Sequence, residues 1–260
     1  MSLLHADNLR VAINGHVIIT EASLALNAGE LIGLIGPNGA GKSSLLKVLA
    51  GLTQPEAGLV RFKTQPLASL SANTRGQQLG YLAQNARAEW PVSVEDVVAL
   101  GRLPYMGPWA RASTADQQAI EQALRATETW DKRTRLATQL SGGEQTLVML
   151  ARVFAGNPEI IFADEPVAAL DPYHQLHVME LLRAHAQGAR AGLVVLHDLN
   201  LAARFCDRLY LCADGQIAAS GTPAEVLTEA NLRTVSGVDV NIHNGEYGLE
   251  IALRQRSEKT

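Results

Sequence analysis

The feature that most constrains this chain is the octapeptide Gly-Pro-Asn-Gly-Ala-Gly-Lys-Ser at residues 36–43, which directly follows an apolar run at 31–35. It matches the phosphate-binding pattern G-x-x-x-x-G-K-[ST] at every fixed position. Glycine adopts backbone angles that other residues avoid, so successive N–H groups can turn inward as an anion nest at a helix start. The pattern predicts a nucleoside triphosphate ligand, with Lys42 at the β- and γ-phosphates and Ser43 on Mg²⁺. The candidate phosphate ligands are Gly36, Pro37, Asn38, Gly39, Ala40, Gly41, Lys42, Ser43 and Ser44.

Composition places the chain among ordinary globular proteins. Its 260 residues are 47% hydrophobic and 18% charged, enough for one large domain or two lobes. A formal net charge of −4 argues against a broad nucleic-acid footprint, so we expect no nucleic-acid partner. The densest basic run, Lys132, Arg133 and Arg135, is predicted to be a solvated helix face rather than a binding patch.

Cysteine content and hydropathy bear on the compartment. Cys206 and Cys212 are too few for a disulfide framework, so we expect free thiols in a reducing cytoplasm. The N-terminal residues 1–7 lack the features of a secretory signal. No segment approaches the roughly 18 consecutive apolar residues of a membrane-spanning helix, so any membrane role is expected to come through a partner.

Short apolar strands alternate with helix patterns, which predicts an α/β fold with a mostly parallel sheet covered on both faces. Asn14-Gly15 predicts an antiparallel hairpin near the N-terminus, and a helix is expected from Ser43 to about Gly51. Another helix is predicted from Pro172, between two strands. The predicted strands are 31–35, 58–62, 79–83, 160–163, 193–196 and 208–212.

Two segments depart from this alternation. From about Trp90 to Asn157, helix-period leucines and N-cap patterns predict a helical insertion. The tail has a capping box at 222–225 and alternating apolar residues around Asn244-Gly245, which predict a helix followed by a hairpin.

Two adjacent carboxylates, Asp164 and Glu165, follow the strand at 160–163. Hydrolysis of a γ-phosphate needs charge neutralisation by Mg²⁺ and an oriented water. Because side chains alternate in direction along a strand, the two acids can divide these tasks. We expect Asp164 near the metal and Glu165 at the attacking water as general base, whose loss typically costs about 10²- to 10⁴-fold in rate.

A second glycine-rich element, Leu140-Ser141-Gly142-Gly143-Glu144, opens an apolar helix. Ser141 can serve as its N-cap, but two glycines in a first turn cost on the order of 1 kcal/mol each. Bare backbone and a hydroxyl at a positive helix end suit a second phosphate site. Two phosphate elements in one chain suggest that a nucleotide lies between two copies of it.

These motifs, in this order, resemble the ATPase subunit of an ATP-binding-cassette transporter over about residues 3–222. The matching elements are 36–43, Gln84, 140–144, Asp164-Glu165, Ala169-Leu170-Asp171 and His197-Asp198. The resemblance implies a P-loop NTPase (RecA-like) core, an N-terminal antiparallel β subdomain and an inserted α-helical subdomain. It also implies a head-to-tail homodimer with two ATP molecules, each held between one phosphate loop and the opposite subunit's Ser141, Gly142, Gly143 and Glu144.

The resemblance assigns the remaining site residues. Gln84 is expected to contact Mg²⁺ or the water and to report to a membrane partner, and Asp171 to link the two sites. Asp164 is expected to bind Mg²⁺ through water, and His197 to contact the γ-phosphate. His197 follows a strand, so a free ring nitrogen can donate to an oxyanion there, although a structural histidine is the alternative.

The same resemblance predicts organisation and partners. One ATPase domain is expected over residues 1–222, with its core and antiparallel strands in 1–87 and 158–222 and its helical subdomain in 88–157. Residues 223–260 are expected to form a C-terminal helix and hairpin extension. The implied partners are integral membrane permease subunits and, indirectly, a substrate-binding protein, at the cytoplasmic face of the bacterial inner membrane.

Three positions depart from the family pattern. Ala12 or Ile13 stands where an aromatic ring commonly stacks on adenine, with His16 nearby, which leaves base selectivity open. Thr146-Leu147 replaces a Gln-Arg pair, and Val167-Ala168 replaces Thr-Ser. None of these changes the phosphate chemistry.

Two further segments concern the substrate that such a transporter would carry. Residues 94–105 and 221–227 resemble the equivalents in importers of iron-siderophore, haem and cobalamin. The alternatives are a soluble cassette ATPase in repair, translation or iron–sulfur assembly, a nucleotide-binding regulatory module without turnover, and a subunit for another substrate or for export.

Overall fold

The predicted strands meet in one large sheet of the computed structural model, which describes residues 2–107, 111–246 and 248–256. In those ranges twelve strands form a ten-stranded sheet and a separate two-stranded sheet. The strands are β1 (Ser2–Ile13), β2 (His16–Asn27), β3 (Leu31–Ile35), β4 (Ala57–Phe62), β5 (Gln65–Pro66), β6 (Leu79–Leu82), β7 (Ile160–Asp164), β8 (Ala191–Val195), β9 (Arg208–Ala213), β10 (Gln216–Gly221), β11 (Val238–Gly245) and β12 (Gly248–Arg256).

The large sheet combines parallel and antiparallel parts, in the order β5-β4-β1-β2-β10-β9-β3-β8-β7-β6. Strands β9, β3, β8, β7 and β6 run parallel, whereas β1 pairs antiparallel with β2 and β4. Every residue of β3, β7 and β8 is buried, as expected for strands covered on both faces. The predicted α/β class, with a mostly parallel core and N-terminal antiparallel strands, is confirmed.

Helices cover both faces of the parallel strands and fill the insertion. They are α1 (Lys42–Leu49), α2 (Ala72–Gln78), α3 (Val94–Ala99), α4 (Thr114–Ala126), α5 (Gly142–Ala155), α6 (Pro172–His185), α7 (Leu199–Phe205), α8 (Pro223–Val226) and α9 (Glu229–Ser236). Within the insertion α3, α4 and α5 pack together through buried residues such as Val97, Leu124 and Leu150. The predicted capping box at Thr222 is present, and Ser113 forms one with Asp116 on α4.

The two hairpins test the turn predictions. Asn14 and Gly15 take φ 51 and 80 and join β1 to β2, as predicted. In the C-terminal hairpin Gly245 pairs with Gly248, so Asn244-Gly245 belongs to β11 and the predicted turn there is wrong. The register follows the burial of Val240 and Ile251 against the core rather than the local dipeptide.

The basic run is not a solvated helix face. Lys132 ends a short 3-10 helix and its ammonium lies 3.0 Å from the Glu144 carboxylate. Arg133 stacks its guanidinium 4.3 Å from the Trp130 ring centroid. Arg135 lies in the bend that follows. The prediction was wrong because these cations form local contacts in an irregular segment. Cys206 and Cys212, by contrast, are free buried thiols, as expected.

His185, at the end of α6, makes acid stability testable. Its Nε2 has no hydrogen-bond partner among the described residues, and burial, aided by the charge of Arg190, lowers its pKa from 6.5 to about 4. Between those values the unfolded chain binds a proton that the folded chain does not, so the free energy of unfolding falls as pH falls.

Replacing His185 with Leu should remove this pH dependence. Between pH 6.5 and 4 the wild type should lose up to about 3 kcal/mol more stability than the variant, measured by urea denaturation. His243→Leu, at an exposed histidine of the hairpin, is the control and should retain the wild-type slope. Parallel curves for His185→Leu and wild type would contradict the burial argument.

Candidate nucleotide-binding site

The octapeptide forms a loop between β3 and α1 with the backbone that its glycines permit. Gly36, Gly39 and Gly41 have φ of 140, 83 and 89. A Cβ on Gly36 would lie 2.1 Å from the carbonyl oxygen of Cys212, so only glycine fits against β9 there. Gly41 is the N-cap residue of α1, which places the loop at the positive end of that helix.

Lys42 folds back over its own loop. Its ammonium donates to the carbonyl oxygens of Gly36 and Pro37 at 2.8 and 2.9 Å. Burial lowers the pKa of Lys42, while nearby acidic groups, Glu165 and Asp164 among them, oppose that shift. The lysine is therefore a desolvated cation whose partners are neutral carbonyls, and phosphate oxygens would be stronger partners for it.

Asp164 and Ser43 meet at the end of β7. The Ser43 hydroxyl donates to Oδ1 of Asp164 at 2.9 Å, and the Tyr81 hydroxyl lies 3.5 Å from Oδ2. Asp164 is only 2% exposed, and burial raises its pKa. Its hydrogen-bond partners are hydroxyls rather than cationic side chains, which leaves a buried acidic group beside a hydroxyl at the phosphate loop.

Glu165 and His197 form a pair next to this acid. Nε2 of His197 lies 2.7 Å from Oε1 of Glu165. Glu165 takes φ 51, a left-handed conformation that non-glycine residues rarely adopt. His197 follows β8, whose end lies beside that of β7 in the parallel sheet. The imidazole thus contacts the carboxyl group that the sequence predicts as general base.

A cleft of about 660 Å³ collects most of the predicted residues. It is lined by Ile18, Asn38, Gly39, Gly41, Lys42, Ser43, Ser44, Gln84, Glu165 and His197. Sequence reasoning missed Ile18, whose position follows from the β1–β2 hairpin. That hairpin carries Ala12, Ile13 and His16 at its end. It lies against the phosphate loop, because a Cβ added to Gly41 would lie only 3.1 Å from Cγ2 of Ile18.

The second glycine-rich element does not line this cleft among the described residues. Ser141 is the N-cap of α5 and forms a full capping box with Glu144. The Ser141 backbone N–H, together with Lys132, lowers the pKa of Glu144 to about 2. Gly142 and Gly143 form the first turn. A Cβ added to Gly143 would lie 3.3 Å from Cδ2 of Leu170, so the two residues are close neighbours. The element therefore lies outside the cleft that contains the chain's own phosphate loop.

Asp171 lies beside that element. Its Oδ1 accepts from the backbone N–H of His174 at 3.0 Å, which makes it the N-cap of α6. Its Oδ2 lies 2.8 Å from the His174 ring. Since Leu170 contacts Gly143, the start of α6 and the start of α5 are adjacent.

The departures from the family pattern also have positions in this region. Thr146 donates to the Gly142 carbonyl at 3.1 Å, within the first turn of α5. Leu147 and Val167 are buried at 2% and 7% exposure. Thr146 and Ala168 line a small pocket together with Glu165. The substitutions therefore replace polar side chains with small or apolar ones around the segment after β7.

Two glycines of the phosphate loop give a matched test of its geometry. An alanine at Gly36 meets the Cys212 carbonyl, whereas one at Gly39 has no atom within 4 Å and bears only the strain of its φ of 83. Gly36→Ala should destabilise the protein by about 3 kcal/mol or more. Gly39→Ala should cost about 1 kcal/mol. Equal losses in thermal or urea denaturation would show that the close approach to β9 does not constrain the loop.

Comparison with known proteins places this chain in a family. The ABC transporter family model matches residues 19–168. The hemin import ATP-binding protein HmuV of Bordetella avium is 41% identical over 261 residues, covering 96% of this chain and 98% of that protein. HmuV of Pseudomonas putida is 39% identical, covering 92% and 94%.

Solved structures show the same fold. An inward-facing metal-chelate type ABC transporter has a TM-score of 0.83 at 24% identity, covering 98% of this chain and 97% of that one. A dimeric ATP-binding cassette bound to ADP and Pi has a TM-score of 0.73 at 26% identity, covering 85% and 98%. This chain belongs to the ABC transporter family, as an ATP-binding subunit that hydrolyses ATP to drive transport.

Proposed function

We propose that this chain powers the import of hemin through a separate membrane permease. The observation that carries the cargo assignment is its similarity to hemin import ATP-binding proteins, at 39% to 42% identity and over at least 92% of its length. The sequence segments at 94–105 and 221–227, which resemble those of iron-chelate, haem and cobalamin importers, agree with it. Similarity over nearly the whole chain to import proteins favours an importer over a soluble cassette ATPase or an exporter.

The working form we propose is a head-to-tail homodimer. Ser141 and the two glycines after it have the features of a phosphate site but lie outside the chain's own cleft. A second copy in the opposite orientation would bring them over the phosphate loop. Each ATP would then be held by residues 36–44 of one subunit and 141–144 of the other, and Asp171, next to the second element, would lie at the junction of the two sites.

The residues at the end of β7 suit Mg²⁺. Magnesium typically takes one or two carboxylates together with phosphate oxygens, rather than an all-protein cage. Ser43 would bind the ion directly and Asp164 would bind it through water. Gln84, which lines the cleft, would contact the ion or the attacking water. The ion would neutralise the charge that develops on the γ-phosphate.

The mechanism we propose assigns distinct tasks to the remaining side chains. Lys42 would exchange its loop carbonyls for the β- and γ-phosphates, and backbone N–H groups of the loop would hold the phosphate oxygens. Glu165 would accept a proton from the attacking water, while His197 would hold Glu165 and contact the γ-phosphate. Binding of ATP by both subunits closes the dimer, and hydrolysis removes the contacts that favour closure.

A permease has a candidate docking segment in the insertion, which follows Gln84 in the chain. Several exposed large apolar side chains fall within one segment of the insertion: Trp90, Val92, Leu100, Leu103 and Tyr105. Exposed large apolar side chains concentrated in one segment suit a protein partner. In the part of the chain that the structure describes, no helix is long and apolar enough to cross a bilayer. We propose that the subunit binds the cytoplasmic face of the inner membrane through the permease.

Growth on defined iron sources tests the cargo. A strain lacking this gene should lose growth when hemin is the iron source and retain it on an inorganic iron salt. The wild-type gene should restore growth, and Lys42→Ala should not. Loss of growth on a ferric siderophore, or of cobalamin uptake, with hemin use intact would assign a different cargo. No defect under any of these conditions would favour a soluble cassette ATPase.

A further inference from the structure

Asn200 connects the C-terminal hairpin, β11 and β12, to the helix that follows His197. Its side-chain Oδ1 accepts from the backbone N–H of Ile251 at 2.8 Å, and its Nδ2 donates to the Ile251 carbonyl at 3.3 Å. One amide side chain thus satisfies both backbone groups of a β12 residue, as a neighbouring strand would. Two hydrogen bonds to one residue fix both the distance and the orientation of α7 relative to the hairpin.

The other end of this connection reaches the candidate catalytic pair. Asp198 is the N-cap of α7, and its Oδ1 accepts from the backbone N–H groups of Asn200 and Leu201 at 2.8 and 3.0 Å. His197 directly precedes this cap and lies 2.7 Å from Glu165. The position of the imidazole therefore depends on where the first turn of α7 is held.

The hairpin is itself anchored, so it can act as a support. Val240 and Ile251 are 3% and 7% exposed and belong to the main hydrophobic core cluster, together with Leu232 of α9. Between the hairpin, α9 and the His197 segment there is a cavity of about 410 Å³, which also reaches Gly36 and Pro37. Side chains do not fill the space beside His197 on this face, so the Asn200 bridge is a specific constraint within a loosely packed region.

We propose that Asn200 is a positioning residue for ATP hydrolysis: by binding the backbone of Ile251 it holds the first turn of α7, and hence His197, in place against Glu165. The inference rests on the proposed role of His197 in hydrolysis. It gives the C-terminal extension a function in the ATPase site, although none of the described residues of the hairpin lines the nucleotide cleft.

A double-mutant cycle on steady-state ATPase activity tests the proposal. Asn200→Ala should lower kcat on the order of 10-fold, because small displacements of a reacting group are costly. The KM for ATP should change less than about twofold, since the phosphate loop is untouched. Asn200→Asp keeps the acceptor for the Ile251 N–H and loses the donor, so its kcat should fall between those of wild type and Asn200→Ala.

The decisive comparison uses the His197→Ala background. If Asn200 acts through His197, adding Asn200→Ala to His197→Ala should cause no further loss of kcat. His243→Ala, which removes an exposed hydrogen bond with Glu250 in the same hairpin, is the matched control and should leave kcat unchanged. Melting temperatures of all variants separate a loss of position from a loss of fold.

Three results would overturn the inference, and they are distinguishable. Wild-type kcat in Asn200→Ala would show that the bridge does not position the site. A full additional loss in the double variant would show that Asn200 acts independently of His197. Wild-type kcat in His197→Ala would remove the proposed role of His197 itself, and the positioning role with it.

Discussion

Glu165→Gln should abolish turnover while leaving ATP binding intact. Glutamine keeps the size of the side chain but cannot take a proton from the attacking water, so phosphate release should slow by about 10²- to 10⁴-fold. The affinity for MgATP should stay within about twofold, because the candidate phosphate ligands at 36–44 are unchanged. The ATP-bound dimer should persist, since the step that reopens it no longer occurs. Single-turnover phosphate release measures the rate of hydrolysis, and light scattering in MgATP measures the persistence of the dimer.

Glu159 offers a matched control for that experiment. It immediately precedes β7, at the opposite end of the strand from Glu165, and its carboxylate pairs with Lys63 at 2.8 Å. Glu159→Gln makes the same chemical change away from the cleft, and we expect a wild-type rate from it. If Glu165→Gln also hydrolysed MgATP at the wild-type rate, the general base would have to be another group.

Ser141→Arg in one subunit should damage the site built on the other subunit's phosphate loop. The test uses mixed dimers in which both subunits carry Glu165→Gln, so that bound ATP is not hydrolysed. One subunit carries a tag and the normal Ser141. Its untagged partner carries Ser141→Arg. A photoreactive ATP analogue should label the tagged subunit about 10-fold less than its partner, equivalent to ~1.4 kcal/mol of lost affinity. The reason is that the tagged subunit's phosphate loop faces the introduced arginine.

The direction of this asymmetry separates the two arrangements of the site. If each chain bound ATP with its own Ser141, the label would be lost from the untagged, substituted subunit instead. Ser71→Arg is the control, because Ser71 is an exposed N-cap whose side chain accepts from the Thr74 N–H. This control removes a serine cap and adds an arginine, but away from the phosphate elements. The photoreactive ATP analogue should therefore label both subunits equally.

Local chemistry explains which parts of the fold could be predicted from sequence. Strands β3, β7 and β8 are short, mostly apolar segments buried on both faces, and helix α1 follows a loop whose positive-φ positions favour glycine. Strand β10 was missed although Asp214-Gly215, at φ 47 and 74, is a hairpin signal that could have found it. Helix α2 was also missed, because Ala72–Gln78 has no buried side chain and so no apolar period.

The site residues also separate into those that local sequence predicts and those that depend on distant contacts. The phosphate loop and the acids after β7 could be predicted because a short segment carries each of them. The contact of His197 with Glu165 and the closeness of Leu170 to Gly143 join residues far apart in the chain, so no local pattern encodes them. The turn expected at Asn244-Gly245 was wrong for a related reason, since distant packing of Ile251 set the register. No sequence pattern marks Asn200, because its contact with Ile251 is formed only in the folded structure.

A structure of the Glu165→Gln protein with Mg²⁺ and ATP tests the shared nucleotide site most directly. The account predicts a dimer in which each γ-phosphate lies between Lys42 of one subunit and Ser141 of the other. A monomer that holds ATP on its phosphate loop, or a dimer whose Ser141 residues lie far from either nucleotide, would contradict it.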